Sequence, residues 1–140
     1  MGIKHLTASL LATDLVAFLR QQLSGCLAVY VFGSRATGEA GLHSDLDIAV
    51  LVEGYAEPLQ LWNLASDLAI KAGCDVDLLD LRAATTVMQF QVLQTGICLW
   101  SQQPAAGIYE AFVLSEKTSL NELRADLLKD IQQRGSIYGR

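Results

Sequence analysis

Apolar positions along this chain follow two alternating patterns, with glycine and proline at the boundaries. Over residues 7–23, Leu11, Leu15, Leu19 and Leu23 recur at i+4 with Phe18 beside them, which gives a helix one apolar face. Thr7 is a candidate cap for that helix and Gly25 a candidate stop. Continuous apolar runs at residues 27–32 and 45–52 read as strands, because each is bounded by turn residues. Gly54 and Pro58 punctuate the loop after the second strand. Pro58 suits the first turn of a helix and Gly73 its end, with Leu61, Leu64, Ala65 and Leu68 on the buried side. Trp62 lies off that stripe, where it is either half exposed or against a partner or, as favoured here, packed as an ordinary side chain. Residues 74–81 form a third strand, with Val76 and Leu78 facing one way and Asp75 and Asp77 the other. Asp80 is expected to cap or flank the next helix, residues 82–95, which Gly96 ends. A short strand at 97–100 comes next. Pro104 and Gly107 mark a break before a long helix over 109–133, with a candidate interruption near 115–119. Its stripe of Leu120, Leu123, Leu127 and Ile131 suits either core or a partner, and residues 135–140 are expected to be loose. Helices alternating with strands predict an α/β (α+β) fold: a mixed sheet of about four strands flanked by helices, plus a C-terminal helix.

Composition narrows this picture. A chain of 140 residues suits one domain, and 51% hydrophobic residues suffice for a real core. The formal net charge is −5, and the sequence has no Lys/Arg cluster. That argues against charge-driven, non-specific binding to nucleic acid, which needs a basic footprint. It is compatible with a nucleotide held through a cation, and with a basic protein partner. Cys26, Cys74 and Cys98 are scattered, and the chain shows no signal peptide, so a reduced, cytoplasmic protein with cysteines as small core residues is expected. No apolar run approaches the roughly 20 residues of a membrane span.

The candidate chemistry lies between the first two strands. An apolar run ends in Gly33-Ser34; ten residues rich in glycine and small polar side chains come next; Asp45-Leu46-Asp47 then opens the second run. Side chains at i and i+2 of a strand share a face, so Asp45 and Asp47 stand together while Leu46 and Ile48 turn into the core. Two carboxylates so placed repel unless a positive charge lies between them. Magnesium, a hard cation bound through carboxylates and substrate phosphates, is the natural counter-charge. Glycine lets the backbone approach a ligand, and turn N–H groups with a serine hydroxyl make an anion cradle. Phosphate on one side and metal on the other describe a nucleoside triphosphate site.

Gly-Ser, ten residues, then Asp-x-Asp resembles the signature of the DNA polymerase β-like nucleotidyltransferase superfamily. The short chain is similar to its minimal nucleotidyltransferase (MNT) branch, and within that to the MNT antitoxins paired with HEPN ribonuclease toxins. The resemblance spans about residues 27–81 and leaves a helical segment at about 105–134. It implies the nucleotidyltransferase fold and assigns a third carboxylate to Asp77, although Asp75 on the same strand competes for that role. It further implies that Asp45, Asp47 and Asp77 ligate two magnesium ions and that Gly33 and Ser34 hold the β- and γ-phosphates of ATP. Arg35 would either touch phosphate or brace the loop by pairing with Glu39, and Ser44 would cap or orient the loop. His43 receives no role, and Thr37, Gly38 and Gly41 serve loop geometry.

The chain ends soon after this core, so the acceptor is expected to arrive on another folded protein. The resemblance implies a protein adenylyltransferase that moves AMP from ATP to a tyrosine of a cognate HEPN toxin, adding charge and bulk beside the ribonuclease site. Two other readings stay open: an antitoxin that inhibits by binding alone, and a transferase acting on a small molecule of the aminoglycoside kind.

Overall fold

The computed structural model describes residues 5–38 and 44–137, and in the last helix side chains as far as 129, except 117 and 119–123. Chain order is β1 (His5–Thr7), β2 (Leu10–Leu11), α1 (Ala12–Gln22), β3 (Cys26–Phe32), α2 (Ser34–Thr37), β4 (Leu46–Val52), α3 (Pro58–Ala72), β5 (Val76–Asp80), α4 (Thr86–Thr95), β6 (Ile97–Ser101) and α5 (Ala105–Ile137), with a 3-10 turn at Leu81–Ala83. The main sheet has the order β5-β4-β3-β6. β3 is antiparallel to both β4 and β6, and β4 is parallel to β5. The expected mixed four-stranded sheet is therefore present.

Both faces of the sheet are covered, which is why its central strands read as unbroken apolar runs. On one face Leu15 and Leu19 of α1 and Leu61, Leu64 and Leu68 of α3 pack on Val29, Val31, Ile48 and Val50. On the other, Val92 of α4 and Ala106, Tyr109 and Val113 of α5 cover Ala28, Tyr30, Ala49 and Leu51. Each fully buried aliphatic side chain contributes about 1.5–3 kcal/mol relative to exposure.

The punctuation around α3 acts as expected. The Glu57 carboxylate accepts a hydrogen bond from the Gln60 N–H, Pro58 opens the helix, and Gly73 ends it with φ 75°. Asp80 is buried and its carboxylate accepts from the N–H groups of Ala56 and Arg82, so it flanks the next helix and also ties down the loop before α3.

Four expectations are corrected. The first helix begins at Ala12, not Thr7, because residues 5–7 and 10–11 pair as a hairpin that buries Leu6 and Leu10. The helix expected over 82–95 begins at Thr86, where the Thr85 hydroxyl accepts from Met88 N–H; a 3-10 turn precedes it. Gly107 does not break the last helix, because the Gln103 side-chain carbonyl accepts from its N–H and satisfies a first-turn donor. α5 therefore starts at Ala105 and runs without interruption through 115–119. Finally, Trp62 is 72% exposed rather than packed. Within the stripe expected on α5, Leu127 is exposed; the side chains of Leu120, Leu123 and Ile131 lie outside the described residues.

Candidate active site

Three strand ends position the acidic groups. β3 runs to Phe32, whose register partner on β4 is Asp47. Gly33 then turns the chain with φ 75° into the short helix α2, which ends at Gly38 with φ 83°. Asp45 lies just before β4, two residues from Asp47 and so on the same side. Across the parallel pair, Asp47 stands opposite Asp77, and Leu46 N–H donates to the Asp75 carbonyl. Neighbours in register point to the same face, so β4 and β5 bring Asp45, Asp47 and Asp77 together. Asp75 shares that face one step further out, and Asp77 is the β5 acid whose charge acts on Asp47.

The Gly-Ser bend abuts this group. A Cβ on Gly33 would overlap Asp47 Oδ2, so only glycine lets the bend lie against that carboxylate. Burial, then the charges of Asp77 and Asp45, hold the Asp47 carboxyl above the usual carboxylate range. All three influences act in one direction, and among the described residues no positive side chain offsets them. Such a group favours a hard cation with oxygen ligands, and the all-carboxylate donor set fits magnesium. Among the described residues no three acidic, histidine or cysteine groups are already closed into a cation cage. Beside the bend, a 410 Å³ cavity opens towards α4, lined by Gly33, Ser34, Thr37, Met88 and Gln91.

Arg35 does not extend into this cavity. Its guanidinium donates to the Leu6 carbonyl at 3.1 Å and the Ser44 carbonyl at 2.6 Å, with Cys74 Sγ at 3.8 Å. It thus ties the N-terminal hairpin to the entry of β4, one residue before Asp45. Glu39, His43 and Gly41 lie outside the described residues. Ser44 takes part through its backbone carbonyl, which Arg35 holds. The link to Leu6 is hidden in the sequence, since it involves a backbone acceptor on a hairpin that periodicity assigns to a helix. Arg35→Lys should lower the melting temperature by a few degrees and transfer by about tenfold, because one ammonium cannot span two carbonyls held by a planar fork. Thermal melts and transfer kinetics check this; wild-type values in both would remove the bracing role.

No helix among the described residues is long and apolar enough to cross a membrane. Cys26, Cys74 and Cys98 are free thiols.

Comparison with known proteins agrees with this geometry. The family model described as "Polymerase beta, Nucleotidyltransferase" matches residues 14–105. The protein adenylyltransferase MntA of Shewanella oneidensis is 33% identical over 117 residues, 84% of each chain. A crystal structure described as a toxin–antitoxin with AMP-PNP superposes with a TM-score of 0.76 at 32% identity, covering 88% of this chain and 99% of that one. A structure of tri-AMPylated Shewanella oneidensis HEPN toxin in complex with MNT antitoxin superposes with a TM-score of 0.69 at 30% identity, covering 86% and 95%. With its Gly-Ser bend set against an acidic pair on neighbouring strands, the chain belongs to the polymerase beta nucleotidyltransferase family, in the minimal branch that contains MntA.

Proposed function

We propose that this protein is an antitoxin that transfers AMP from ATP to a tyrosine of a cognate HEPN ribonuclease toxin. The observation that carries the reading is Asp47, in register with Asp77, lying against Gly33. The relatives' names supply the acceptor: MntA is a protein adenylyltransferase, and an MNT antitoxin is found with an AMPylated HEPN toxin. Residues 1–140 act as a single minimal domain in the cytoplasm, where ATP is at hand.

Nucleotidyl transfer needs positioning and charge neutralisation more than covalent help from the protein. Asp45, Asp47 and Asp77 would hold two magnesium ions, which supply counter-charge to the phosphates and the acceptor oxygen. Gly33 and Ser34 seat the β- and γ-phosphates, and Arg35 and Ser44 keep the loop in place around them. The phenolic oxygen forms a bond to the α-phosphorus. The bond from that phosphorus to the oxygen bridging to the β-phosphate breaks, and pyrophosphate leaves with the electron pair. Asp77, at the edge of the group, takes the phenolic proton. The modified tyrosine gains phosphate charge and bulk beside the ribonuclease site.

The test incubates the chain with ATP, magnesium and its HEPN protein and measures intact mass. A gain of one AMP or more on the HEPN protein is expected, and its loss on chelation. An unchanged HEPN mass beside transfer to some other acceptor would overturn the reading.

A further inference from the structure

We propose that the cavity between the Gly-Ser bend and α4 takes the base of the nucleotide, and that Gln91 is the residue that reads it as adenine. The inference rests on the nucleotidyl-transfer reading above and names the side chain that selects among nucleotides. Register partners in an antiparallel pair share a face, so Phe32 on β3 stands beside Asp47 on β4. That face is the one α4 and α5 cover, and there Phe32 and Met88 pack against the cluster that contains Val92. The acidic group, the bend and the inner side of α4 therefore border one space.

The cavity in that space measures about 410 Å³, within the range of small-molecule sites. Met88, Gln91, Val92 and Thr95 are spaced i, i+3, i+4 and i+7, so one stripe of α4 forms its far wall. Gly33 and Ser34 form the near wall. No charged residue is among those that line it. A triphosphate would leave its charge unmet there, whereas a flat neutral ring suits Phe32, Met88 and Val92. The phosphates therefore stay beside the bend and the acidic group, and the base lies inward against α4.

Gln91 supplies the polar edge. Thr95 Oγ1 donates to the Gln91 backbone carbonyl at 2.8 Å, and Thr37 Oγ1 to the Ser34 carbonyl at 3.3 Å. Both threonine hydroxyls are thus turned to their own helices. The Gln91 side-chain amide makes no hydrogen bond among the described residues. An amide carries a donor and an acceptor side by side. Adenine presents the complement, the N6 amino donor beside the N7 acceptor. Guanine presents two acceptors, O6 and N7, so the amide oxygen would face another oxygen.

The experiment compares ATP, GTP and purine riboside triphosphate, which lacks the 6-amino group, with magnesium and the full chain. Transfer to the HEPN protein gives kcat/KM for each, and AMP-PNP against GMP-PNP gives binding with no acceptor present. The unaltered chain should favour ATP over the other two by about tenfold or more. Gln91→Leu replaces an exposed helix residue by another good helix former, so the fold is kept. It should cut the preference for ATP to within about threefold, and the preference for AMP-PNP likewise. No preference in the unaltered chain, or one that survives in Gln91→Leu, would overturn the assignment and leave nucleotidyl transfer standing. An equal loss with all three nucleotides would also overturn it, since Gln91 would then shape the site without reading the base. The binding comparison decides the matter even if the HEPN protein is left unmodified, an outcome that would overturn only the acceptor. Failure of the unaltered chain to bind AMP-PNP would overturn the transferase reading and this one together.

Discussion

Asp47→Asn should reduce adenylyl transfer by about a thousandfold or more and at the same time make the apo-protein more stable near neutral pH. The loss comes from removing the middle of three carboxylates, the one in register with Asp77 and against the bend. Several kcal/mol of transition-state charge stabilisation are at stake, and about 1.4 kcal/mol is tenfold in rate. The gain in stability comes from the raised Asp47 carboxyl, caused by burial and then by Asp77 and Asp45. The folded state binds the proton more tightly than the unfolded chain does, so ionisation opposes folding. Below the unfolded value of 3.8 the group is protonated in both states and costs nothing. As pH rises from there through the higher folded value, stability is lost, and the penalty is complete beyond it. Asparagine carries no charge, so its melting temperature should exceed that of the wild type at pH 7, and the two should converge in acid. Magnesium with AMP-PNP should reverse the order, since only the wild type gains from binding. Scanning calorimetry with and without ligand checks both signs; a less stable asparagine variant at pH 7 would contradict them. In cells, Asp47→Asn should no longer protect against the HEPN protein. Protection by an inactive, folded variant would mean inhibition by binding alone.

How much of this is visible in the sequence depends on how local each feature is. β3 and β4 are legible because strands covered on both faces leave apolar runs, and the Gly-Ser and Asp-x-Asp groups sit at the ends of those runs. The third acid is harder. Asp75 and Asp77 are two apart and share a face, so alternation cannot separate them. What separates them is the parallel register, fixed by how α3 crosses from β4 to β5. The N-terminal hairpin is not legible, because Thr7 reads as a cap four residues before Leu11, the first of the i+4 leucines, so the helix is extended back over residues that pair as strands. Burial against the rest of the protein overrides that local pattern. For Trp62 the sequence leaves exposure and packing both open, because position off a stripe tells where a residue does not point, and the fold decides for exposure. The partners of Arg35 are hidden for a similar reason, being carbonyls that any residue carries.

Replacing Gly33 by alanine should lower kcat by about a hundredfold or more, and Gly38→Ala is the control that identifies the cause. Both glycines have a positive φ, but Gly38 (φ 83°, ψ 9°) is left-handed helical, where alanine costs roughly 1–2 kcal/mol, whereas Gly33 (φ 75°, ψ −155°) lies in a region essentially reserved for glycine, where the cost is about 1–3 kcal/mol. Each variant should therefore lose several degrees in melting temperature. They differ in what the new methyl meets. At Gly38 nothing lies within 4 Å, whereas at Gly33 the methyl overlaps Asp47 Oδ2. Either the bend or the carboxylate must then move, which separates the phosphate seat from the acidic group. A misplacement of about 1 Å can cost a hundredfold in rate. Gly38→Ala should accordingly stay within several-fold of the wild-type kcat, with a smaller thermal cost than Gly33→Ala. Stopped-flow or quenched transfer assays with paired melting curves make the comparison. Equal kcat losses would trace the effect to loop strain, and a wild-type kcat in Gly33→Ala would show that the bend need not touch Asp47 for transfer to proceed.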